Sequence, residues 1–93
     1  MMEVPFWIEE WYVDPAAGSL RRDGAEVRLE PKVMTVLLVL ARRAGEVVSR
    51  KEIEDAAWAD VVVGYDALAS SIIKLRKALG DDSRQPRIIE TVP

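Results

Sequence analysis

The 93 residues contain no cysteine and no histidine. Those two absences remove disulfides, thiolate nucleophiles, zinc sites built on sulfur or imidazole, and imidazole acid-base catalysis. Most enzyme mechanisms lose their usual parts, and no enzymatic activity, cofactor or small-molecule substrate is expected. A chain without cysteine suits a reducing compartment, so the cytoplasm is the expected location. No apolar stretch reaches the ~18 residues that a membrane helix requires. Met1-Met2-Glu3-Val4-Pro5 places an acid and a proline where a secretory signal would carry a basic segment and then an apolar one. Positive charge is not in excess either: 16 acids against 13 bases leave a net charge of -3, whereas a nucleic-acid binder needs at least a local basic surface. Repeats, low-complexity runs and linkers are lacking. What remains is 49% apolar and 31% charged, which fits one small domain over residues 1–93 with a single core.

The apolar and turn-forming residues set an order of elements. Phe6 to Val13 is aromatic and β-branched with broken alternation and stops at Asp14-Pro15-Ala16-Ala17-Gly18, which reads as one strand and a turn. Ser19–Arg22 and Glu26–Leu29 flank Asp23-Gly24, a two-residue hairpin signal. Pro31 suits the first turn of a helix in which Met34, Leu37, Leu38 and Ala41 follow core spacing, and Val33, Val36 and Val39 make it apolar nearly all round. It is expected to run to about Arg43 and stop near Gly45. Ser49-Arg50-Lys51-Glu52 is a capping box that opens a second helix bearing Ile53, Ala56, Ala57 and Trp58, the last expected as a core anchor. After the apolar loop Val61-Val62-Val63-Gly64, Asp66 is the expected N-cap of a third helix. In that helix Leu68, Ile72, Leu75 and Leu79 form a buried stripe, and Gly80 ends it. Arg87 to Val92 reads as a final strand. The resulting order is β-β-β-α-α-α-β, an α+β class with an N-terminal antiparallel sheet.

Two short helices joined by a loop, the second with a buried stripe and a cationic outer surface, form the arrangement of a helix-turn-helix reader. Residues 67–80 hold Lys74, Arg76 and Lys77 and no acid, and Arg50 and Lys51 start the preceding helix, where backbone amides and two cations suit a phosphate. Trp7, Trp11 and Tyr12 are expected to pack the sheet rather than to stack bases, because basic neighbours are missing. Adjacent acids such as Glu9-Glu10 and Asp81-Asp82 read as solubilising charges.

The motifs in their order carry a resemblance. Leu29-Glu30-Pro31-Lys32, Gly45-Glu46-Val47-Val48-Ser49-Arg50-Lys51-Glu52-Ile53, Trp58, Ile72 to Asp82 and Ile89-Glu90-Thr91-Val92-Pro93 are similar to the OmpR/PhoB-type winged helix-turn-helix DNA-binding domain. The Leu-Gly-Asp-Asp and Ile-Glu-Thr-Val-Pro wording most resembles its ToxR/CadC branch. The resemblance spans about residues 6–93 and implies a transcription regulator, in a family associated with phosphorelay signalling, whose third helix enters the major groove of double-stranded DNA. Carried onto this sequence, it implies DNA contacts by Arg50, Lys51, Ala67, Ser70, Ser71, Lys74, Arg76, Lys77 and Arg87, with Ala67, Ser70, Ser71, Lys74 and Lys77 on the exposed face of the third helix. Ile73 is expected to lie partly outward and to close the edge of the core, with contact to a thymine methyl as the other reading. The resemblance further implies RNA polymerase as a partner through the 60–66 loop, a homodimer on DNA, and a longer protein with either a membrane span, which would tether it to the inner membrane, or a sensor beyond residue 93. Family members continue past Thr-Val-Pro into a tight turn and a last strand, so the C-terminal hairpin, the wing, is expected to be truncated at Pro93. A second function stays open here: a winged-helix module used for protein–protein interaction or dimerisation, with weak or no DNA binding.

Overall fold

The computed structural model of the chain describes residues 4–59, 65–81, 84 and 88–90. Four short strands come first: β1 (Phe6–Ile8), β2 (Trp11–Asp14), β3 (Ser19–Arg22) and β4 (Ala25–Arg28). They form one antiparallel sheet in sequence order. Three helices follow: α1 (Pro31–Arg42), α2 (Arg50–Ala57) and α3 (Tyr65–Leu79).

The single strand expected over Phe6 to Val13 is in fact a hairpin, with Phe6 opposite Val13 and Ile8 opposite Trp11. Phe6 and Ile8 fall on even positions, Trp11 and Val13 on odd ones. A continuous strand would send these two sets to opposite faces. Folding back at Glu9-Glu10, with Glu9 in the left-handed region at φ 51°, puts all four on the inner face. Across the sheet that face continues as Phe6, Val13, Leu20 and Val27 in cross-strand register, while Trp7, Tyr12, Arg21 and Glu26 line the outer face. Trp7 and Tyr12 meet edge to face at 5.1 Å between ring centres. The Asp23-Gly24 hairpin forms as its sequence indicates. Both residues have positive φ, 51° and 82°, the combination that matches the right-handed twist of the flanking strands and that glycine adopts without strain.

Pro31 occupies the first turn of α1. The buried side chains of this helix are Val33, Met34, Val36 and Leu37, while Leu38 and Ala41 are only half-buried. The core face is therefore turned from the expected one towards Val33 and Val36, because α1 packs against both α2 and α3. Lys32 reaches across and donates its ammonium to the Ala57 carbonyl at the end of α2, 2.5 Å away, where an unsatisfied backbone acceptor favours a cation. Within α2, Ile53 and Ala57 are buried and Ala56 is exposed. Trp58 is the C-cap residue and only half-buried, packed against the core rather than in it.

Helix α3 begins at Tyr65, so Asp66 lies within its first turn and is not the N-cap. Its buried residues are Leu68, Ser71, Leu75 and Leu79, with Ile72 half-buried. At the other end Gly80, φ 68°, takes the left-handed conformation. The Gly80 N–H donates to the Lys77 carbonyl (3.3 Å) and the Asp81 N–H to the Arg76 carbonyl (2.8 Å), the paired closure of a Schellman motif. The strand expected over Arg87 to Val92 does not form at residues 88–90; the rest of it lies outside the described residues. Instead the Asp81 carboxylate accepts the backbone N–H groups of Ile88 and Ile89. Arg76 donates to the Ile89 carbonyl at 2.9 Å, and Ile89 is buried. Sheet and helices meet at Trp11, whose indole N–H donates to the Leu79 carbonyl at 3.1 Å.

Candidate functional site

The site is built on the start of α2 and the outer face of α3. The capping box at α2 forms in both directions: the Glu52 N–H donates to the Ser49 hydroxyl (3.1 Å), and the Ser49 N–H donates to the Glu52 carboxylate (3.3 Å). Arg43, the C-cap of α1, pairs with Glu52 and, at 3.3 Å, with Glu46. Two helix ends are thereby joined through one guanidinium. The Ser49 backbone above all, then the Ser49 side chain and then Arg43, hold the Glu52 carboxyl below the usual glutamate range. The Arg43 guanidinium is shifted upward, chiefly by its hydrogen bond to Glu52.

Because the folded Glu52 titrates below its unfolded value, the stabilisation it brings is complete above that unfolded value. It is lost as the pH falls through the folded one. Glu52→Gln keeps a side chain that can complete the capping box but gives up the charge. Thermal melts should therefore show wild type ahead of Glu52→Gln at neutral pH, with the two curves converging as the pH drops below about 4. A gap that stays constant down to acid pH would show that the Glu52 charge contributes nothing.

Arg50 and Lys51 are exposed at the start of α2, as expected. Each reaches one turn along its own helix, Arg50 to Glu54 at 3.6 Å and Lys51 to Asp55 at 3.2 Å. On α3, Ser70, Ile73, Lys74 and Lys77 are exposed and spaced i, i+3, i+4, i+7, so they share one face. The Lys74 ammonium lies 3.0 Å from the carboxylate of Glu30, the residue before α1. Among the described residues Lys77 has no ion pair. Exposed pairs of this kind contribute about 0–1 kcal/mol, so an incoming anion displaces the carboxylates at little cost.

Three expectations for α3 change. Ser71 is 6% exposed and not on the outer face; it stands three residues after Leu68 and four before Leu75, inside the buried stripe. Ile73, expected to seal the core, is 66% exposed. Arg76 is half-buried and directed at the 88–90 segment, which makes it a strut between α3 and that segment rather than a cation on the outer face. Ala67 is half-buried at the margin. Arg87 and residues 60–64 of the 60–66 loop lie outside the described residues. The pairing of Glu30 with Lys74 had no sequence signal, since the two are 44 positions apart.

The outer face of α3 can thus offer one hydroxyl, two ammonium groups and one branched aliphatic side chain to a single ligand surface. No group of three or more His, Cys, Asp or Glu placed to hold a metal ion occurs among the described residues. Likewise, no helix among them is long and apolar enough to cross a membrane.

A family described as "Transcriptional regulatory protein, C terminal" matches residues 24–93. The chain is 38% identical over 87 residues to the transcriptional activator CadC of Escherichia coli (strain K12), covering 92% of this chain and 17% of that one. It is 39% identical over 75 residues to the transcriptional regulator HilA of Salmonella typhimurium, covering 81% of this chain and 13% of that one. The chain therefore spans under a fifth of the length of either relative. Among solved structures, the DNA-binding domain of E. coli CadC superposes with a TM-score of 0.80 at 38% identity, over 90% of this chain and 79% of that one. The Klebsiella pneumoniae RstA DNA-binding domain, solved in complex with the RstA box, shares the fold with a TM-score of 0.81 at 23% identity, over 97% and 90% of the two chains.

Proposed function

The chain belongs to the family of transcriptional regulatory protein C-terminal domains, and from that membership we propose how it works. It is a DNA-binding domain of winged-helix fold from a transcription regulator, and α3 enters the major groove. The observation that carries this docking is the outer face of α3, where Ser70, Ile73, Lys74 and Lys77 are exposed together and no acid occurs between residues 67 and 80. Lys74 and Lys77 face the groove, Ser70 supplies a hydroxyl to bases or phosphate, and Arg50 and Lys51 approach the backbone from the start of α2. Ala67 lies at the edge of the contact. Descriptions of the relatives favour DNA over the protein-interaction alternative.

The reading extends to an act of binding without catalysis, cofactor or small-molecule substrate, in the cytoplasm. RNA polymerase as a partner of the 60–66 loop, and a second copy on a neighbouring half-site, rest on the family resemblance alone. These three surface pairs bear on how a chain of net charge -3 suits a polyanion: on docking, Arg50 and Lys51 exchange Glu54 and Asp55 for phosphates, and Lys74 exchanges Glu30 for an acceptor in the groove.

Fluorescence anisotropy of labelled duplexes at several salt concentrations tests the docking. The wild-type chain should bind with an affinity that falls linearly in log K against log salt. Arg50→Ala should weaken binding to every duplex alike and flatten the slope by about 0.9, the value for one phosphate contact on B-DNA. Absence of salt-dependent binding at low ionic strength would overturn the function. An unchanged slope in the variant would remove α2 from the interface.

A further inference from the structure

We propose that Ile73 is a specificity residue that recognises the 5-methyl group of a thymine in the major groove, an inference that rests on the docking of α3 described above. The first support is its setting. At 66% exposure Ile73 contributes little to the core, and it sits on the same face as Ser70, Lys74 and Lys77. A single exposed isoleucine on a protein surface is ordinary; one flanked by two lysines on the helix face that meets DNA is not solvent-facing once the complex forms. Its environment then becomes the floor or wall of the groove.

The chemistry of that groove leaves one apolar partner among the four standard bases. Guanine shows two acceptors, adenine an acceptor and an amino group, and cytosine an amino group. Thymine alone adds a methyl group to its acceptor. An isoleucine pressed against the other base edges would strip water from polar atoms and return no hydrogen bond. Against thymine it removes apolar surface from water on both sides. The residue therefore discriminates twice, by attraction to one base and by penalty at the other three. A protein partner fits the surface less well. The other large exposed apolar side chains among the described residues lie off α3, Trp7 on β1, Val4 before it and Val47 between α1 and α2, so Ile73 belongs to no apolar patch of α3.

The test removes the methyl group from the DNA and the side chain from the protein separately. A preferred duplex is selected from a random double-stranded library with the wild-type chain. Each thymine in it is then replaced singly by deoxyuridine, which differs only in the methyl group. At one or two positions deoxyuridine should weaken wild-type binding about three- to fivefold, the worth of one buried methyl. The same replacements should leave Ile73→Ala unaffected, and Ile73→Val, which keeps a branched methyl pair, should retain part of the effect. Thermal melts of both variants should match wild type, because the side chain is outside the core. Equal loss in wild type and Ile73→Ala, or no loss at any thymine in a chain that still binds in a salt-dependent way, would overturn the role of Ile73 and leave the docking intact. A chain that binds no duplex fails the docking itself, and the inference with it.

Discussion

Trp11→Ala is expected to destabilise the protein by about 3–5 kcal/mol, the usual range for truncating a buried aromatic. Trp11 is 4% exposed and joins three parts of the structure. Its ring packs in the core from β2, its N–H satisfies the Leu79 carbonyl in the last turn of α3, and the Arg22 guanidinium from β3 lies 4.4 Å above its ring. Removal leaves a cavity, an unsatisfied carbonyl and a cation without its aromatic partner. A domain of this size has roughly 5–15 kcal/mol in total, so the substitution removes a large share of it. Trp11→Phe separates the contributions: it keeps most of the packing and loses the hydrogen bond, for about 1 kcal/mol. Urea titrations of the three proteins read both effects. A midpoint for Trp11→Ala within error of wild type would mean that the sheet does not anchor α3.

Lys74→Ala and Glu30→Gln should change DNA affinity in opposite directions. If the Lys74 ammonium reads a base edge, its loss costs about 1–3 kcal/mol on the preferred duplex, roughly five- to 150-fold, with a smaller effect on unrelated DNA. Glu30 holds that ammonium at 3.0 Å and, on the proposed docking, is an acid beside a polyanion. Glu30→Gln should therefore tighten binding to all duplexes at low salt, and the gain should fade as salt screens it. Neither exposed substitution should move stability by more than about 0.5 kcal/mol. Weaker binding by Glu30→Gln would assign the opposite role to the carboxylate, that of holding Lys74 in its reading position.

The parts of the fold that are legible in the sequence are those governed by neighbours in the chain. Asp23-Gly24 needs two positive φ values and contains residues that tolerate them. Ser49 and Glu52 cap α2 reciprocally over three positions, and Gly80 closes α3. The β1–β2 hairpin is harder to see because its turn is Glu9-Glu10, without glycine or asparagine to announce a left-handed residue. The phase change from Phe6 and Ile8 to Trp11 and Val13 was the available signal.

Helix spacing finds the buried stripe of α3 but leaves its width open. Whether Ser71 joins Leu68 and Leu75 inside depends on the helices packed against α3, which periodicity does not encode. The same holds for α1, where contact with two helices turns the core face towards Val33 and Val36. For the site, composition identifies the cations, but the distant partners decide their use: Glu30 for Lys74 and the Ile89 carbonyl for Arg76.

The division of α3 into two faces separates the requirements of folding from those of recognition. Leu68, Leu75 and Leu79 face inward, while Ser70, Ile73, Lys74 and Lys77 share the outer face and no core position. On the docking proposed above, a gene encoding this chain can explore new operator preferences at four codons while the folded population stays nearly constant. Arg76 marks the limit of that freedom: it lies on α3 yet braces the 88–90 segment, so drift there is answered in the yield of folded protein before it is felt at the promoter.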